Sequence, residues 1–312
     1  MASRVLLTGA AGFLGGACAA ALLDRGDEVI ALVRDRDPRA RLFRDGLVAR
    51  CVEVRAELAD AERLLAEYEP DAVLHLAAQT QVPVSNRSPL STFESNVRGT
   101  WRLLEACRVA ARPPRAVVVA SSDKAYGEAP RPYAEDGPLV PTAPYDVSKA
   151  CTDLIARSYA THFGLPVVVT RCGNLYGPGD LNERRLVPGV CRALAHGQAP
   201  ELRSAGGMTR EWLYIADAAA ANLLLLDRLA EGAPVAGLGV NVGGGEVESV
   251  RGVVERLRAM VPGAPEARYA DADPPGEIAH QSLRSERIRA LGWRPQVGLD
   301  AGLAASLAWH GG

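Results

Sequence analysis

The 312-residue sequence contains no apolar run approaching the roughly 20 residues that a membrane-crossing helix needs. It has no excess of positive charge either. Lys and Arg number 35 against 37 Asp and Glu, a net charge of −2, and no stretch is polybasic. Nothing in it would neutralise a nucleic-acid backbone or seek an anionic lipid surface, so neither partner is expected, and any anionic ligand must be held by local groups. The six cysteines (Cys18, Cys51, Cys107, Cys151, Cys172, Cys191) include no C-x-x-C pair, which argues against a zinc site and against a disulfide framework. They read as reduced thiols of a cytoplasmic protein. His75, His162, His196 and His280 do not stand at ligand spacing from one another; they read as structural or surface histidines, and no metal is expected. The start, Met1-Ala2-Ser3-Arg4-Val5, enters an apolar strand at once and lacks the regions of a secretory signal. Internal repeats, low-complexity tracts and disordered linkers are also missing.

What is present is a rhythm. Hydrophobic residues make up 48% of the chain, enough to bury one large layered domain and a smaller appended one. Through the first half, short runs rich in Val, Leu and Ile alternate with amphipathic stretches, the pattern of parallel strands joined by crossover helices. The runs place strands at Val5–Leu7, Glu28–Val33, Leu47–Val54, Ala72–Leu76, Ala116–Ala120 and Val167–Thr170. Helices are expected at Phe13–Arg25, closed by Gly26, and Pro144–Phe163, closed by Gly164. Beyond residue 172 the sequence turns to Gly/Pro-rich loops, with helices expected at Arg185–His196 and Asp217–Ala230 and a strand at Leu238–Val242. Ser249 reads as the N-cap of a helix running to Met260, and Ser285 as that of a shorter one ending at Gly292.

Thr8-Gly9-Ala10-Ala11-Gly12-Phe13-Leu14-Gly15 follows a strand and opens a helix, the context in which a glycine-rich fingerprint carries meaning. Gly9 allows the tight turn, Gly12 lets the backbone approach a pyrophosphate, and Gly15 lets helix and strand pack closely. The helix start supplies N–H donors and the positive end of its dipole. The fold class expected is therefore α/β, a doubly wound parallel Rossmann sheet with a smaller C-terminal α/β substrate-binding lobe. The first would comprise residues 1–172 with 211–245 rejoining it, the second 173–210 and 246–312. At the end of the second strand, where an acid usually holds the adenosine ribose, stands Arg34, which suits a 2′-phosphate, followed by Asp35, which suits ribose hydroxyls; NAD and NADP both remain open.

Two features bring chemistry to this scaffold. Tyr145-Asp146-Val147-Ser148-Lys149 puts a phenol and an ammonium four residues apart at a helix start, on one face. A phenol with a reference pKa near 10 needs a nearby cation to serve as a base at neutral pH; Lys149 would supply it and hold the nicotinamide ribose. Ala120-Ser121-Ser122-Asp123-Lys124 leaves the carboxyl end of a strand, where catalytic groups collect in open parallel sheets. Ser122 would share a hydrogen bond with the sugar hydroxyl that Tyr145 deprotonates, with Asp123 and Lys124 as an acid and a base beside it.

With these residues in view, the chain resembles the extended short-chain dehydrogenase/reductases that act on nucleotide sugars. Further matching pieces are His75-Leu76-Ala77-Ala78, Asn96-Val97-Arg98-Gly99-Thr100, Arg171-Cys172-Gly173-Asn174-Leu175-Tyr176-Gly177-Pro178-Gly179 and Arg210-Glu211-Trp212-Leu213-Tyr214-Ile215, and the likeness spans nearly the whole length. It implies a dinucleotide site built from Gly9, Gly12, Phe13, Leu14, Gly15, Arg34, Asp35, Glu57, Leu58, Leu76, Ala77, Ala78, Asn96, Tyr145, Lys149 and Cys172. It further implies a sugar-nucleotide site of Gln79, Asn174, Arg185, Arg203 and Arg210, with Asn174 at the diphosphate and Arg210 clamping a phosphate through its guanidinium.

Within that family the pair Asp123-Lys124 resembles the CDP-glucose 4,6-dehydratases and some UDP-N-acetylglucosamine dehydratases. The expected reaction oxidises C4 transiently, removes the C5 proton with Lys124, expels the C6 hydroxyl with help from Asp123 and returns hydride to C6, so NAD or NADP stays tightly bound and is regenerated in each turnover. A nucleotide-sugar 4-epimerase using the same C4 oxidation is the alternative, and a non-catalytic NAD(P)-binding regulator a second one. The family habit is a homodimer, here through the helices of Trp101 and Tyr145. The proline-rich stretch 126–144 reads as a stiffened loop near the site.

Overall fold

A computed structural model describes residues 3–274 and 278–311; Met1 and Ala2, part of the start considered above, lie outside the described residues. Among these, seven strands form one fully parallel sheet: β1 (Arg4–Thr8), β2 (Glu28–Val33), β3 (Val52–Arg55), β4 (Ala72–His75), β5 (Ala116–Ala120), β6 (Val167–Cys172) and, after two strands of a second sheet, β9 (Gly239–Val242). Their order is β3-β2-β1-β4-β5-β6-β9, the doubly wound arrangement whose direction reverses beside β1, where a crevice for a dinucleotide opens. Central strands are apolar on both faces because both are covered. Val5 and Leu7 of β1 face one cluster with Ala17, Leu22 and Leu226. Leu6 faces the other with Ile30, Val73, Leu103 and Val117.

The helices of the first half are α1 (Phe13–Asp24), α2 (Arg41–Arg44), α3 (Ala61–Tyr68), α4 (Val82–Arg87), α5 (Pro89–Phe93), α6 (Gly99–Val109) and α7 (Pro144–Phe163). Those of the second are α8 (Leu186–Ala195), α9 (Ile215–Ala230), α10 (Val250–Ala259), α11 (Glu286–Ala290) and α12 (Leu299–Gly311). The small sheet contains β7 (Asn174–Tyr176), β8 (Thr209–Tyr214), β10 (Glu246–Ser249) and β11 (His280–Gln281), with β8 at its centre. It covers a separate core of Tyr176, Val190, Trp212, Val254 and Leu303. Glu211–Tyr214 thus belongs to the small sheet, while α9 packs on the large one and β9 is its edge.

Two local expectations change. The apolar run Leu47–Val54 is not one strand: Gly46 at φ 69° turns the chain, Leu47–Arg50 is a 3-10 turn, and only Val52–Arg55 pairs with β2. Ser249 caps α10, accepting from the Gly252 N–H at 2.9 Å, but Ser285 makes no side-chain cap on α11. Its hydroxyl accepts from the Gly243 N–H at 3.0 Å instead, tying the loop after β9 to the small lobe.

Candidate active site

The cradle begins at the β1–α1 turn. Gly9 has φ 70°, and a Cβ there would lie 2.7 Å from the Ala77 nitrogen; a Cβ on Gly15 would lie 2.0 Å from the Gly9 carbonyl oxygen. Only glycine lets β1, α1 and the chain after β4 approach this closely. Gly12 caps α1 without a side chain, leaving the first-turn N–H groups of Phe13, Leu14 and Gly15 to a ligand. Thr8, buried behind the turn, accepts from the N–H groups of Leu76 and Ala77, both at 3.2 Å. With its lone pairs so used, its hydroxyl donates to His75 Nδ1 at 2.7 Å, His75 Nε2 donates to Thr100 at 3.1 Å, and Thr100 donates to the Asn96 carbonyl at 2.6 Å. Burial, helped by nearby Lys149, pushes the His75 pKa down to about 3. The ring is therefore a neutral strut, as its sequence position suggests.

That chain of bonds ends at Asn96, 1% exposed. Its side chain accepts from the Gln79 N–H at 2.7 Å and donates to the Gln79 carbonyl at 3.0 Å and the Ser148 hydroxyl at 2.9 Å. Ser148 in turn donates to the Tyr145 carbonyl at 2.6 Å. Asn96 thus binds the loop of Leu76, Ala77, Ala78 and Gln79 to the first turn of α7, with its own amide fully engaged. The Gln79 amide bonds to the Gln81 carbonyl and to Ser85, both at 3.0 Å. Glu57 and Leu58 follow β3, where Glu57 and Asp60 form a capping box and Leu58 packs on Gly99. After β2, Arg34 and Asp35 pair with each other at 2.7 Å on an exposed turn.

The reacting centre assembles from the ends of β5 and α7. Tyr145 and Lys149 are both buried. Ser122 stands near enough to the Tyr145 phenol to act on it electrostatically. Lys149 Nζ donates to the Ala120 carbonyl at 2.9 Å, and burial lowers its pKa to about 8, with Cys172 acting in the opposite sense. Burial and the neighbouring Asp123 carboxyl hold the Tyr145 phenol above its ordinary range, whereas Ser122 and Arg185 pull it down. Cys172, at the end of β6, is a buried thiol pushed up to about 12 by desolvation.

Asp123 is 4% exposed. Its Oδ1 accepts from Ser122 at 3.0 Å and its Oδ2 from Gln281 Nε2 at 2.6 Å. Burial raises its pKa, partly offset by Lys124, by the Ser122 hydrogen bond and by Arg210. A carboxyl so placed is suited to holding a proton. Lys124 beside it is half-buried.

The sugar-nucleotide candidates divide. Asn174 Nδ2 is buried without a hydrogen-bond partner among the described residues, a donor awaiting an acceptor such as a phosphate oxygen. Arg185 is held by Asp180 at 2.8 Å and by the Leu175 carbonyl at 2.6 Å, with its guanidinium over the Phe13 ring at 5.5 Å. It stands between the dinucleotide turn and the Asn174 strand. Arg210, 9% exposed, donates to the Thr209 carbonyl at 2.9 Å and faces Gln281 in the β8–β11 pairing. Arg203 remains exposed, its Nη2 3.3 Å from the Arg184 carbonyl.

Sequence motifs did not reveal Gln281 or the partner of Arg171. Gln281 belongs to no motif and reaches Asp123 only through the pairing of β11 with β8. Behind Tyr126, the fully buried Arg171 and Asp153 form a bidentate pair at 2.7 and 2.9 Å. Arg171 also donates to the Tyr126 hydroxyl at 2.6 Å and the Glu135 carbonyl at 2.9 Å. This pins the 126–144 loop to the sheet. A signal was available elsewhere: Lys124 and Lys149 are the only lysines in the sequence, every other strongly basic side chain being arginine. Unlike arginine, lysine shifts its pKa readily when buried.

The residues fit a nicotinamide dinucleotide, since the glycine cradle and the uncapped α1 start form a pyrophosphate seat. Comparison agrees. A sequence profile described as "NAD dependent epimerase/dehydratase family" matches residues 5–243. dTDP-glucose 4,6-dehydratase 1 of Escherichia coli K12 is 31% identical, over 98% of this chain and 92% of that protein. Among solved structures, a double mutant of the Streptomyces venezuelae dTDP-glucose 4,6-dehydratase DesIV with NAD bound is 33% identical. Its TM-score is 0.86, with 98% of this chain and 96% of that one covered. The UDP-glucose 4-epimerase of Thermus thermophilus, in complex with NAD, is 32% identical with TM-score 0.86 and covers 99% of both chains.

Proposed function

The chain belongs to the NAD dependent epimerase/dehydratase family, and we propose that it is a nucleotide-sugar 4,6-dehydratase. A nicotinamide dinucleotide held by the glycine turn and Lys149 would supply a hydride acceptor for C4 of the sugar and a hydride donor for C6. Tyr145 Oη accepts the C4 hydroxyl proton, and Ser122 orients that hydroxyl. Lys149 holds the nicotinamide ribose. Lys124 Nζ accepts the C5 proton once the C4 ketone has acidified it, and Asp123 delivers a proton to the C6 hydroxyl, which leaves as water. Asn174 and Arg210, with Arg185 at the edge, hold the diphosphate. In this division of labour residues 1–172 with the returning segment up to 245 carry the dinucleotide, and the small lobe carries the nucleotide sugar.

One observation carries the reading. Beyond the Ser122, Tyr145 and Lys149 set that C4 oxidation needs, the site holds a second proton-transfer pair, a buried Asp123 with a raised pKa next to Lys124. An epimerase has no use for it. The likeness to the Thermus thermophilus enzyme keeps 4-epimerisation as the alternative. The relatives described above carry dTDP and UDP in their names, so the CDP-glucose likeness suggested by Asp123-Lys124 leaves the base to experiment. Mass spectrometry after incubation with dTDP-, UDP-, CDP- and GDP-sugars tests the proposal. The product should be lighter by one water; an isobaric product would establish epimerisation instead. Lys124→Met should abolish proton exchange at C5 while sparing hydride transfer from C4.

The proposal extends to assembly and location. Leu90, Trp101, Val109, Leu154 and Phe163 are large exposed apolar residues on α5, α6 and α7, an apolar face suited to a homodimer. All six cysteines are free and no described helix is long and apolar enough to cross a membrane, in keeping with a cytoplasmic enzyme.

A further inference from the structure

Gln281 is 2% exposed, lies in the two-residue strand β11 and places its Nε2 2.6 Å from Asp123 Oδ2. Its Oε1 is buried with no partner among the described residues. β11 is itself fixed from two sides: Gln281 pairs with Arg210 in β8, and the Leu283 N–H donates to the buried Glu211 carboxylate at 2.8 Å. The amide is therefore held, not swinging, and it spends its donor on one carboxyl oxygen of Asp123.

A carboxyl oxygen that accepts an N–H cannot carry the acid proton on the same side, because two hydrogens would then point at each other. We propose that Gln281 is a positioning residue for the dehydration, confining the proton of Asp123 to Oδ1, where the Ser122 hydroxyl, unlike the amide N–H, can rotate from donor to acceptor. The inference rests on the dehydratase reading and adds to it which oxygen acts and what selects it. In the elimination the Oδ1–H bond breaks and the C6 hydroxyl oxygen takes the proton. The C6–O bond breaks with its electron pair leaving in water, the C5–H pair becomes the C5=C6 bond, and the C5 proton passes to the base. With Gln281 absent, the proton is free to sit on Oδ2, turned away from the reacting carbons.

The test takes the nucleotide-linked glucose that the wild-type holoenzyme dehydrates in the screen above, and its 6-deoxy-6-fluoro analogue, in wild type, Gln281→Met and the isosteric Gln281→Glu. Fluoride leaves without a general acid, so the analogue removes the need for Asp123. With the glucose substrate, both variants should form product on the order of 100-fold more slowly, the loss that a misplaced catalytic group produces. Reduced nicotinamide absorbance should build up and C5 should take up solvent deuterium faster than product appears. With the fluoro analogue, the variants should stay within about threefold of wild type, far short of the penalty of a misplaced group. Equal slowing on both substrates, or slow turnover without accumulation of the reduced nicotinamide, overturns the role of Gln281 and leaves the dehydratase reading intact. A wild-type enzyme that eliminates neither water from any of the dTDP-, UDP-, CDP- and GDP-glucoses nor fluoride from their analogues overturns both.

Discussion

Lys149 should weaken the fold it serves. Its ammonium sits in a position 5% exposed, with its pKa lowered by burial from 10.5 to about 8. At about 1.4 kcal/mol per pKa unit, that shift withholds about 3 kcal/mol from folding. Below pH 8 the folded and unfolded chains both carry the proton and the folded state bears the whole penalty. Between pH 8 and 10.5 the folded chain has released the proton while the unfolded chain keeps it, so the penalty fades as pH rises, and above 10.5 it is gone. Lys149→Met removes the penalty and fills the space. It also removes the hydrogen bond to Ala120, worth about 1 kcal/mol. The variant should thus be more stable than wild type by about 2 kcal/mol at pH 7, in protein stripped of dinucleotide. With an unfolding entropy of about 2.1 cal/mol/K per residue, this raises Tm by about 3 °C. Urea unfolding across pH 7 to about 11 is the assay, and the advantage should shrink and then reverse sign as pH passes the ordinary lysine value. A variant less stable than wild type at pH 7, or a difference that ignores pH, would refute the reasoning. Turnover in the same variant should be lost, the stability gained being what the reacting centre gives up for its chemistry.

Two further outcomes follow from buried charge and exposed surface. Asp153→Asn leaves the Arg171 guanidinium, 0% exposed, without its counter-charge, and should cost about 3–5 kcal/mol in urea unfolding. The paired change of Asp153→Leu with Arg171→Met should recover much of that loss, and a single variant losing under about 1 kcal/mol would show that the pair is not holding the loop. Trp101→Glu combined with Phe163→Glu places charge on the apolar face of α6 and α7 and should halve the mass seen by sedimentation; an unchanged mass excludes that face as the dimer contact.

The sequence alone determined the layered α/β plan and the identity of the chemical groups. Val, Leu and Ile runs separated by amphipathic stretches can bury both faces of a parallel sheet in few other ways. The glycines at 9, 12 and 15, and the Tyr145 and Lys149 pair, are local patterns whose spacing already carries their geometry. Where an outcome depends on a partner distant in the chain, local pattern is silent. Leu47–Arg50 is as apolar as a strand, yet no neighbour pairs with it. Ser285 has the chemistry of a cap, yet a loop after β9 claims its hydroxyl. Asn96 reads as a ligand contact, yet its amide is consumed in joining two segments. The partner of Asp123 lies 158 residues away, and only the packing of the small sheet against the end of β5 brings it there. Tertiary structure decided which polar groups are spent inside the protein and which, like the Asn174 amide, are left without a partner among the described residues, because burial makes an unmatched donor costly and only the assembled fold defines what is buried.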